Sequence, residues 1–156
     1  MKSEEVHIDF ENSIAPWVGK TSKIVDYYLH DLLNQFGLDM SKEQVITLKM
    51  LHENEGDGLN QNDLAFLTSR DKSSLARLLS KMEKKKYILR KQDKVDKRIN
   101  QVFLTDEGRA VFKQSKIVLK KLMCTMEKNI SEAEKKQLIG ILKKVQFNLQ
   151  QEKVGL

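Results

Sequence analysis

The stretch that decides the fold lies mid-chain, where residues 71–108 read DKSSLARLLSKMEKKKYILRKQDKVDKRINQVFLTDEG. Its first part has the 3.6-residue period of an amphipathic helix, and Asp71 is placed to cap it. The apolar face of that helix comprises Leu75, Leu78, Leu79 and Met82. The period then changes to that of two strands, predicted over 87–91 and 100–104 around the polar segment 92–96. The stretch therefore predicts a helix followed by an exposed, charged hairpin.

Two shorter helices are predicted immediately upstream. Ser41 and Gln44 have the spacing of a capping box, opening a helix that runs to about Glu53. Asn60 is a cap for a short third helix. Two short helices joined by a tight turn and followed by a charged hairpin are typical of a winged helix-turn-helix, whose second helix enters the major groove of DNA.

Long amphipathic helices flank this lobe on both sides. Apolar residues recur at three- and four-residue spacing over 10–36, and the same pattern covers 109–150, where Thr105 and Ser131 are predicted caps. We therefore expect a mainly α fold with a minor β part, about six helices and a two-stranded wing. The predicted organisation is one domain, 1–156, with a DNA-binding lobe at 41–108 and dimerisation helices at 10–36 and 109–150.

The net charge of +6 is distributed unevenly along the 156 residues. Residues 1–68 contain 5 Lys and Arg against 12 Asp and Glu, a net of −7, whereas residues 69–98 contain 12 against 4, a net of +8. A basic block of this kind is expected of a nucleic-acid site, and a solvated lysine face explains it equally well. Charge alone leaves both interpretations open.

A motif within the hairpin distinguishes them. Residues 96–108 read DKRINQVFLTDEG, which resembles the D-x-R-x-x-x-(L/V)-x-L-T-x-x-G signature of the MarR family of winged-helix transcriptional regulators. Upstream, the segments 59–65, 71–79 and 82–90 resemble the helix-turn-helix and the start of the wing in that family, so the resemblance covers about residues 59–108. Two positions depart from the family pattern: Lys86 stands where Gly is usual at a helix end, and Ala76 where Ser or Thr is common.

The resemblance implies a double-stranded-DNA site on the second helix and the wing. The recognition-helix residues are Lys72, Ser73, Ser74, Arg77 and Lys81, and the wing residues are Arg90, Lys94, Asp96, Lys97 and Arg98. Asp96 and Arg98 are two residues apart, so on a strand their side chains share one face. In the family this Asp holds the Arg for insertion into the minor groove, and the alternative is a surface ion pair of little energetic value. For Lys81, Arg90 and Lys94, phosphate contact and simple solvation stay equally open.

The single cysteine and the lack of a bilayer-spanning run predict a cytoplasmic protein, and the amphipathic faces over 10–36 and 109–150 are too extensive for one small lobe to cover, which favours a homodimer. The resemblance implies that this homodimer represses transcription from a pseudo-palindromic operator and responds to a small amphipathic or phenolic inducer, although an activator would have the same sequence features. Its effector pocket would be lined by Trp17, Tyr28, His30, Met50 and Phe66, for each of which ordinary packing is the alternative. The rival function is a helical interaction protein whose basic face binds an acidic protein or RNA. A winged-helix scaffold serving an enzyme is a further rival.

Other chemistry finds no support in the sequence. No catalytic constellation or cofactor motif is present, so no enzyme activity is expected. His7, His30 and His52 lack metal-ligand spacing, which predicts no metal site. Cys124 is expected to be a buried or interfacial filler rather than a redox sensor. No apolar run approaches the ~18–20 residues that span a bilayer, so no membrane partner is expected.

Overall fold

Local sequence signals account for most element boundaries in a computed structural model of the chain, which describes residues 4–56, 58–68 and 70–153. The elements follow in the order α1 (Ile14–Gln35), α2 (Lys42–Glu53), β1 (Leu59–Asn60), α3 (Gln61–Thr68), α4 (Lys72–Lys84), β2 (Ile88–Gln92), β3 (Asn100–Leu104), α5 (Asp106–Met126) and α6 (Glu132–Lys153). The predicted winged-helix class, mainly α with a small β part, is confirmed.

Helices α2, α3 and α4 begin where a short polar side chain accepts a hydrogen bond from a free backbone N–H group. Ser41 Oγ accepts from the Gln44 N–H and completes a reciprocal capping box, as predicted. Asp71 accepts from the Ser74 N–H at 2.8 Å and Asn60 from the Asp63 N–H at 2.7 Å. The predicted starts of α2, α3 and α4 are therefore confirmed.

A three-stranded antiparallel sheet of order β1–β3–β2 forms the wing and its base. The two predicted strands are present, with β2 shifted by one residue, and β1 is a third strand that the sequence did not predict. Two residues are too few to show an alternating pattern, and Leu59 is placed by its pairing with Val102. Ile88 and Val102 are fully buried, so the sheet closes the core of the lobe beneath α2 and α4.

The end of α4 is a tight turn that sends the chain into the wing. The Lys86 N–H donates to the Glu83 carbonyl and the Tyr87 N–H to the Met82 carbonyl, which is the Schellman arrangement. Lys86 has φ of 63°, in the left-handed region that suits glycine. The same turn ends α1, where Gly37 holds the equivalent position with φ of 70°. Lys86 therefore adopts, despite its side chain, the same turn that Gly37 adopts at the end of α1.

Thr105 and Gly108 join this turn to α5. Thr105 Oγ1 donates to the Lys86 carbonyl at 2.6 Å and accepts from the Gly108 N–H at 2.9 Å. A Cβ on Gly108 would lie 2.1 Å from the Tyr87 carbonyl oxygen, which is far inside contact distance. The Thr and Gly of the signature therefore allow the start of α5 to approach the end of α4.

The apolar stripe of α1 is only partly buried. Leu29, Leu32 and Leu33 in its C-terminal half are in the core, at most 5% exposed. Toward its N-terminus Trp17 is 57% and Ile24 is 59% exposed, although the periodicity places them on the same stripe. The lobe therefore covers the end of α1 and leaves an extended apolar face uncovered.

The described residues divide into two compact units, Met1–Leu119 and Lys120–Leu156, with the boundary inside α5. In the second unit Ser131 and Glu134 form the predicted capping box of α6. Apolar residues of α6, including Ile141 and Phe147, are 50% and 60% exposed. Cys124 is exposed in the single chain, so it is not buried within the fold, and an interfacial position stays a prediction. Among the described residues, no helix combines the length and the apolar character required to cross a membrane.

The left-handed turn at Lys86 predicts a stabilising substitution. Lys86→Gly should raise the free energy of unfolding by about 1 kcal/mol. Glycine avoids the steric strain of about 1–2 kcal/mol that a side chain causes in this conformation. Part of this gain is lost because glycine also increases the conformational entropy of the unfolded chain. Urea denaturation followed by circular dichroism measures this difference. Lys86→Ala is the matched control, since it removes the same charge but keeps the Cβ, and it should not stabilise. Equal effects of the two variants would refute strain as the cause.

Candidate nucleic-acid interface

The outer face of α4 presents polar and basic side chains away from the core. Lys72, Ser73, Arg77 and Lys81 are exposed, because the opposite face carries the buried Leu75, Leu78, Leu79 and Met82. Ser74 differs from the other predicted recognition-helix residues. It is half-buried, and its hydroxyl accepts a hydrogen bond from Arg70 Nη2 at 2.7 Å.

Arg70 was not predicted as a site residue. A groove of about 700 Å³ lies beside α4, and its lining includes Arg70, Arg77 and Lys81 together with Ser41 and Gln44 from the start of α2. The Nε atom of Arg70 is buried and has no hydrogen-bond partner among the described residues. Its position just before the capping Asp71, within the basic block, was the only sequence signal available.

The tip of the wing is organised by Asp93, a second residue that sequence reasoning missed. Its carboxylate accepts from the backbone N–H groups of Val95 at 2.7 Å and Asp96 at 3.2 Å, and from Gln101 Nε2 at 3.3 Å. These hydrogen bonds stabilise the charged form and lower the pKa of Asp93 below its ordinary value. An Asp followed by a polar turn is the signal for such local capping.

Asp96 and Arg98 form the predicted ion pair, but they do so from a loop. They lie in the loop between β2 and β3 rather than on a strand, so the strand-face argument for their meeting is wrong. The Arg98 guanidinium donates to both Asp96 oxygens at 3.1 Å, and the Arg98 N–H donates to the same carboxylate at 3.1 Å. These bonds lower the pKa of Asp96. The side chain of Arg98 is 90% exposed, so the pair holds a guanidinium outward at the wing tip.

Arg90 is placed differently from the other wing cations. Lys94 and Lys97 are exposed near the tip, whereas the side chain of Arg90 is 22% exposed and points back to α4. Its Nε and Nη2 donate to the two carboxylate oxygens of Glu83, each at 3.2 Å, and Nη2 also lies 3.3 Å from Ser80 Oγ. The hydrogen bond from Arg90 is the main cause of the lowered pKa of Glu83.

The four acidic residues of the basic block therefore share one property. Each accepts hydrogen bonds from the surface that it interrupts: Asp71 at the start of α4, Glu83 from Arg90, Asp93 in the wing turn and Asp96 from Arg98. The cations of α4 and of the wing tip are, by contrast, mostly exposed. The arrangement is a basic surface whose acidic residues fix its shape.

The predicted effector residues are scattered over the Met1–Leu119 unit. Trp17 and Phe66 are 57% and 85% exposed, and Tyr28 and Met50 are half-buried. His30 lines a shallow groove of about 440 Å³ on α1 with Lys23, Asp26 and Tyr27. Within the part of the chain that the structure describes, no group of three or more His, Cys, Asp or Glu is placed to hold a metal ion.

The sequence of the chain is similar to that of a known protein family. The sequence model of the MarR family matches residues 40–99, which include α2 to α4 and most of the wing. The uncharacterized HTH-type transcriptional regulator YdgJ of Bacillus subtilis (strain 168) is 31% identical over 113 residues, which are 72% of this chain and 66% of that relative, slightly under two thirds of its length.

Solved structures agree with the sequence comparison. The chain resembles S. aureus MepR in a complex with DNA, with a TM-score of 0.81 and 28% identity over 87% of this chain and 98% of that one. It shares its fold with PcaV of Streptomyces coelicolor, solved with its natural ligand, at a TM-score of 0.77 and 18% identity, over 90% and 96% of the two chains. From the match of its sequence and of its fold, the chain belongs to the MarR family of winged helix-turn-helix transcriptional regulators.

Proposed function

We propose that the protein binds double-stranded DNA as a sequence-specific transcriptional regulator, and that α4 and the wing form the binding surface. The observation that carries the proposal is that α4 and the wing of one lobe both present exposed cations, while Glu83 and Asp96 among them are already paired with Arg90 and Arg98. A polyanion binds such a surface by releasing its counterions, whereas paired carboxylates oppose it little.

On this proposal α4 enters the major groove with its N-terminal half. Arg77 is the residue most suited to specificity, since it is exposed at the centre of the outer face and a guanidinium reads guanine bidentately. Lys72, Ser73 and Ser74 lie in the first turn, where backbone N–H groups and the helix dipole favour a phosphate. Lys81, one turn beyond Arg77, contacts the backbone of the same groove.

The wing extends the surface to the adjacent minor groove. Arg98 is the residue that enters this groove, because the bidentate pair with Asp96 fixes an otherwise flexible guanidinium in one exposed position. A narrow, electronegative minor groove favours an arginine that is already oriented. Lys94 and Lys97 lie on either side of Asp96 and contact phosphates.

The active species is proposed to be a homodimer, joined through the long helices that the lobe leaves uncovered. Trp17, Val18 and Ile24 on α1 are 43–59% exposed. Apolar side chains of α6 are also exposed within their own unit. Apolar faces of this extent mark an interface between proteins, and a two-fold dimer would present two copies of α4 to successive major grooves. The operator is then a pseudo-palindrome with half-sites about one helical turn apart.

Regulation is proposed to be repression relieved by a small amphipathic or phenolic ligand. The lining residues proposed for the ligand are Trp17, Tyr28, His30, Met50 and Phe66, and His30 lies in a groove of about 440 Å³ on α1. PcaV, which shares the fold, was solved with its natural ligand. A ligand that favours one spacing of the two α4 helices over another needs about 1–3 kcal/mol of coupling to release DNA.

DNA binding is tested by fluorescence anisotropy on a duplex obtained by selection from genomic fragments with the purified protein. Affinity should fall with salt by about 0.9 log units per log unit of salt for each phosphate contacted. Arg77→Ala should cost about 1–3 kcal/mol and relax preference at one base pair, whereas Lys81→Ala should weaken all duplexes alike and reduce the salt slope by about 1.

Lys113→Ala is the matched control for these variants, since Lys113 is an exposed cation of α5 outside the proposed surface. Its affinity for the duplex should equal that of the wild type. Duplex binding that is insensitive to Arg77→Ala and Arg98→Ala would refute the assigned surface. A preference for RNA or an acidic protein at equal salt would favour the interaction protein instead.

The dimer is tested by sedimentation equilibrium at micromolar concentration. The wild type should have twice the 18.1 kDa mass of the chain. Ile24→Glu should sediment as a monomer, because it places a charge on the uncovered apolar face of α1 without disturbing the core. Ser22→Glu adds the same charge at an exposed position of the same helix and should remain a dimer. A monomeric wild type would refute the proposal.

A further inference from the structure

Glu83 is a carboxylate in a place that two electrostatic effects disfavour. It lies in the last turn of α4, where the partial negative charge of the helix C-terminus repels an anion. It also lies inside the 69–98 block of net charge +8, on the lobe proposed to face a polyanion. An acid at such a position weakens both the helix and DNA binding unless a specific contact compensates.

The compensating contact is the pair with Arg90. Two parallel N–H···O bonds of 3.2 Å join the guanidinium to the carboxylate, and a third bond of 3.3 Å joins it to Ser80 Oγ one turn earlier on α4. A forked, charge-assisted pair of this kind is directional, unlike a lysine contact. The two side chains are 40% and 22% exposed, so the pair is shielded from solvent in part.

This pair spans the turn at which the wing leaves α4. Lys85, Lys86 and Tyr87 lie between α4 and β2, and Lys86 holds the strained left-handed conformation there. Glu83 is before the turn and Arg90 is on β2 after it. Beyond the backbone of the turn, their three hydrogen bonds tie the direction of β2 to the axis of α4.

We propose that Glu83 and Arg90 are positioning residues for DNA recognition, fixing the angle between recognition helix and wing so that Arg77 and Arg98 meet one duplex together. The inference rests on the proposed function. It assigns Arg90 to Glu83 rather than to a phosphate. It also explains why an acid occupies the last turn of a helix whose other charged residues are Lys72, Arg77, Lys81 and Lys84.

Neutralising Glu83 distinguishes a positioning role from a purely electrostatic one, because the two predict opposite changes in DNA affinity. Removing a negative charge from a DNA-binding surface strengthens binding, as does freeing Arg90 for a phosphate. If Glu83 positions the wing, Glu83→Gln weakens binding instead. The expected loss is about fivefold, which is a pair energy of about 1 kcal/mol converted at 1.4 kcal/mol per factor of ten.

The experiment measures duplex affinity for Glu83→Gln, Arg98→Ala and the double variant, at a temperature where circular dichroism shows all three folded. Asp63→Asn is the matched control, since it removes an exposed carboxylate from α3 of the same lobe and should bind equally or more tightly.

The double variant tests whether Glu83 acts through the wing. Because a misdirected wing cannot place Arg98 in the minor groove, the loss of affinity caused by Arg98→Ala should be smaller in the Glu83→Gln background than in the wild type. Glu83 and Arg98 lie on different elements, so a loss of stability alone would leave their effects additive. Unchanged or tighter binding by Glu83→Gln, or additive costs, would overturn the inference.

Amide hydrogen exchange provides a readout without DNA. In Glu83→Gln the β2–β3 ladder, including Lys91 and Gln101, should exchange faster, while the buried face of α4 exchanges as in the wild type. Unchanged exchange in the wing would count against positioning. If the wild type binds no duplex, the proposed function fails, and the exchange measurement alone then decides whether Glu83 orders the wing.

Discussion

The reversal of the chain at the end of α4 is the constraint on which the rest of the DNA-binding lobe depends. The Schellman turn at Lys86 directs β2 away from the helix, Thr105 binds the same turn from the other side, and Gly108 lets α5 begin against it. Two residues of the family signature, Thr105 and Gly108, therefore meet the turn at Lys86 and Tyr87. The shared role of these residues is geometric, because each acts through backbone conformation, a hydroxyl hydrogen bond or the lack of a side chain.

The acidic residues of the 69–98 block all accept hydrogen bonds from neighbouring groups of the same lobe. Asp71 caps α4 and Asp93 stabilises the wing turn. The other two acidic residues, Glu83 and Asp96, each bind an arginine. The lowered pKa values of Glu83, Asp93 and Asp96 have this one physical origin, since each carboxylate accepts hydrogen bonds in its charged form. Because Asp96 already holds it, the Arg98 guanidinium would lose less conformational entropy on binding a polyanion than an unpaired arginine.

Local rules predicted the elements well, and contacts between elements poorly. The caps at Ser41, Asn60 and Asp71 were visible because each acts within three residues. β1 was missed because its two residues become a strand only by pairing with β3. The Glu83–Arg90 pair crosses a left-handed turn, and no periodic rule brings those positions together. The length of the apolar stripe on α1 predicted that one lobe would not cover it, and Trp17 and Ile24 are indeed 57% and 59% exposed.

The central claim is that α4 and the wing act as one preorganised surface for duplex DNA. The most direct measurement is a map of backbone amide shift changes on titrating the labelled protein with its selected duplex. The account predicts simultaneous changes in residues 72–81 of α4 and 93–98 of the wing, with little change in the acidic stretch before residue 69. Changes confined to one of the two elements, or centred on α1 or α6, would contradict it.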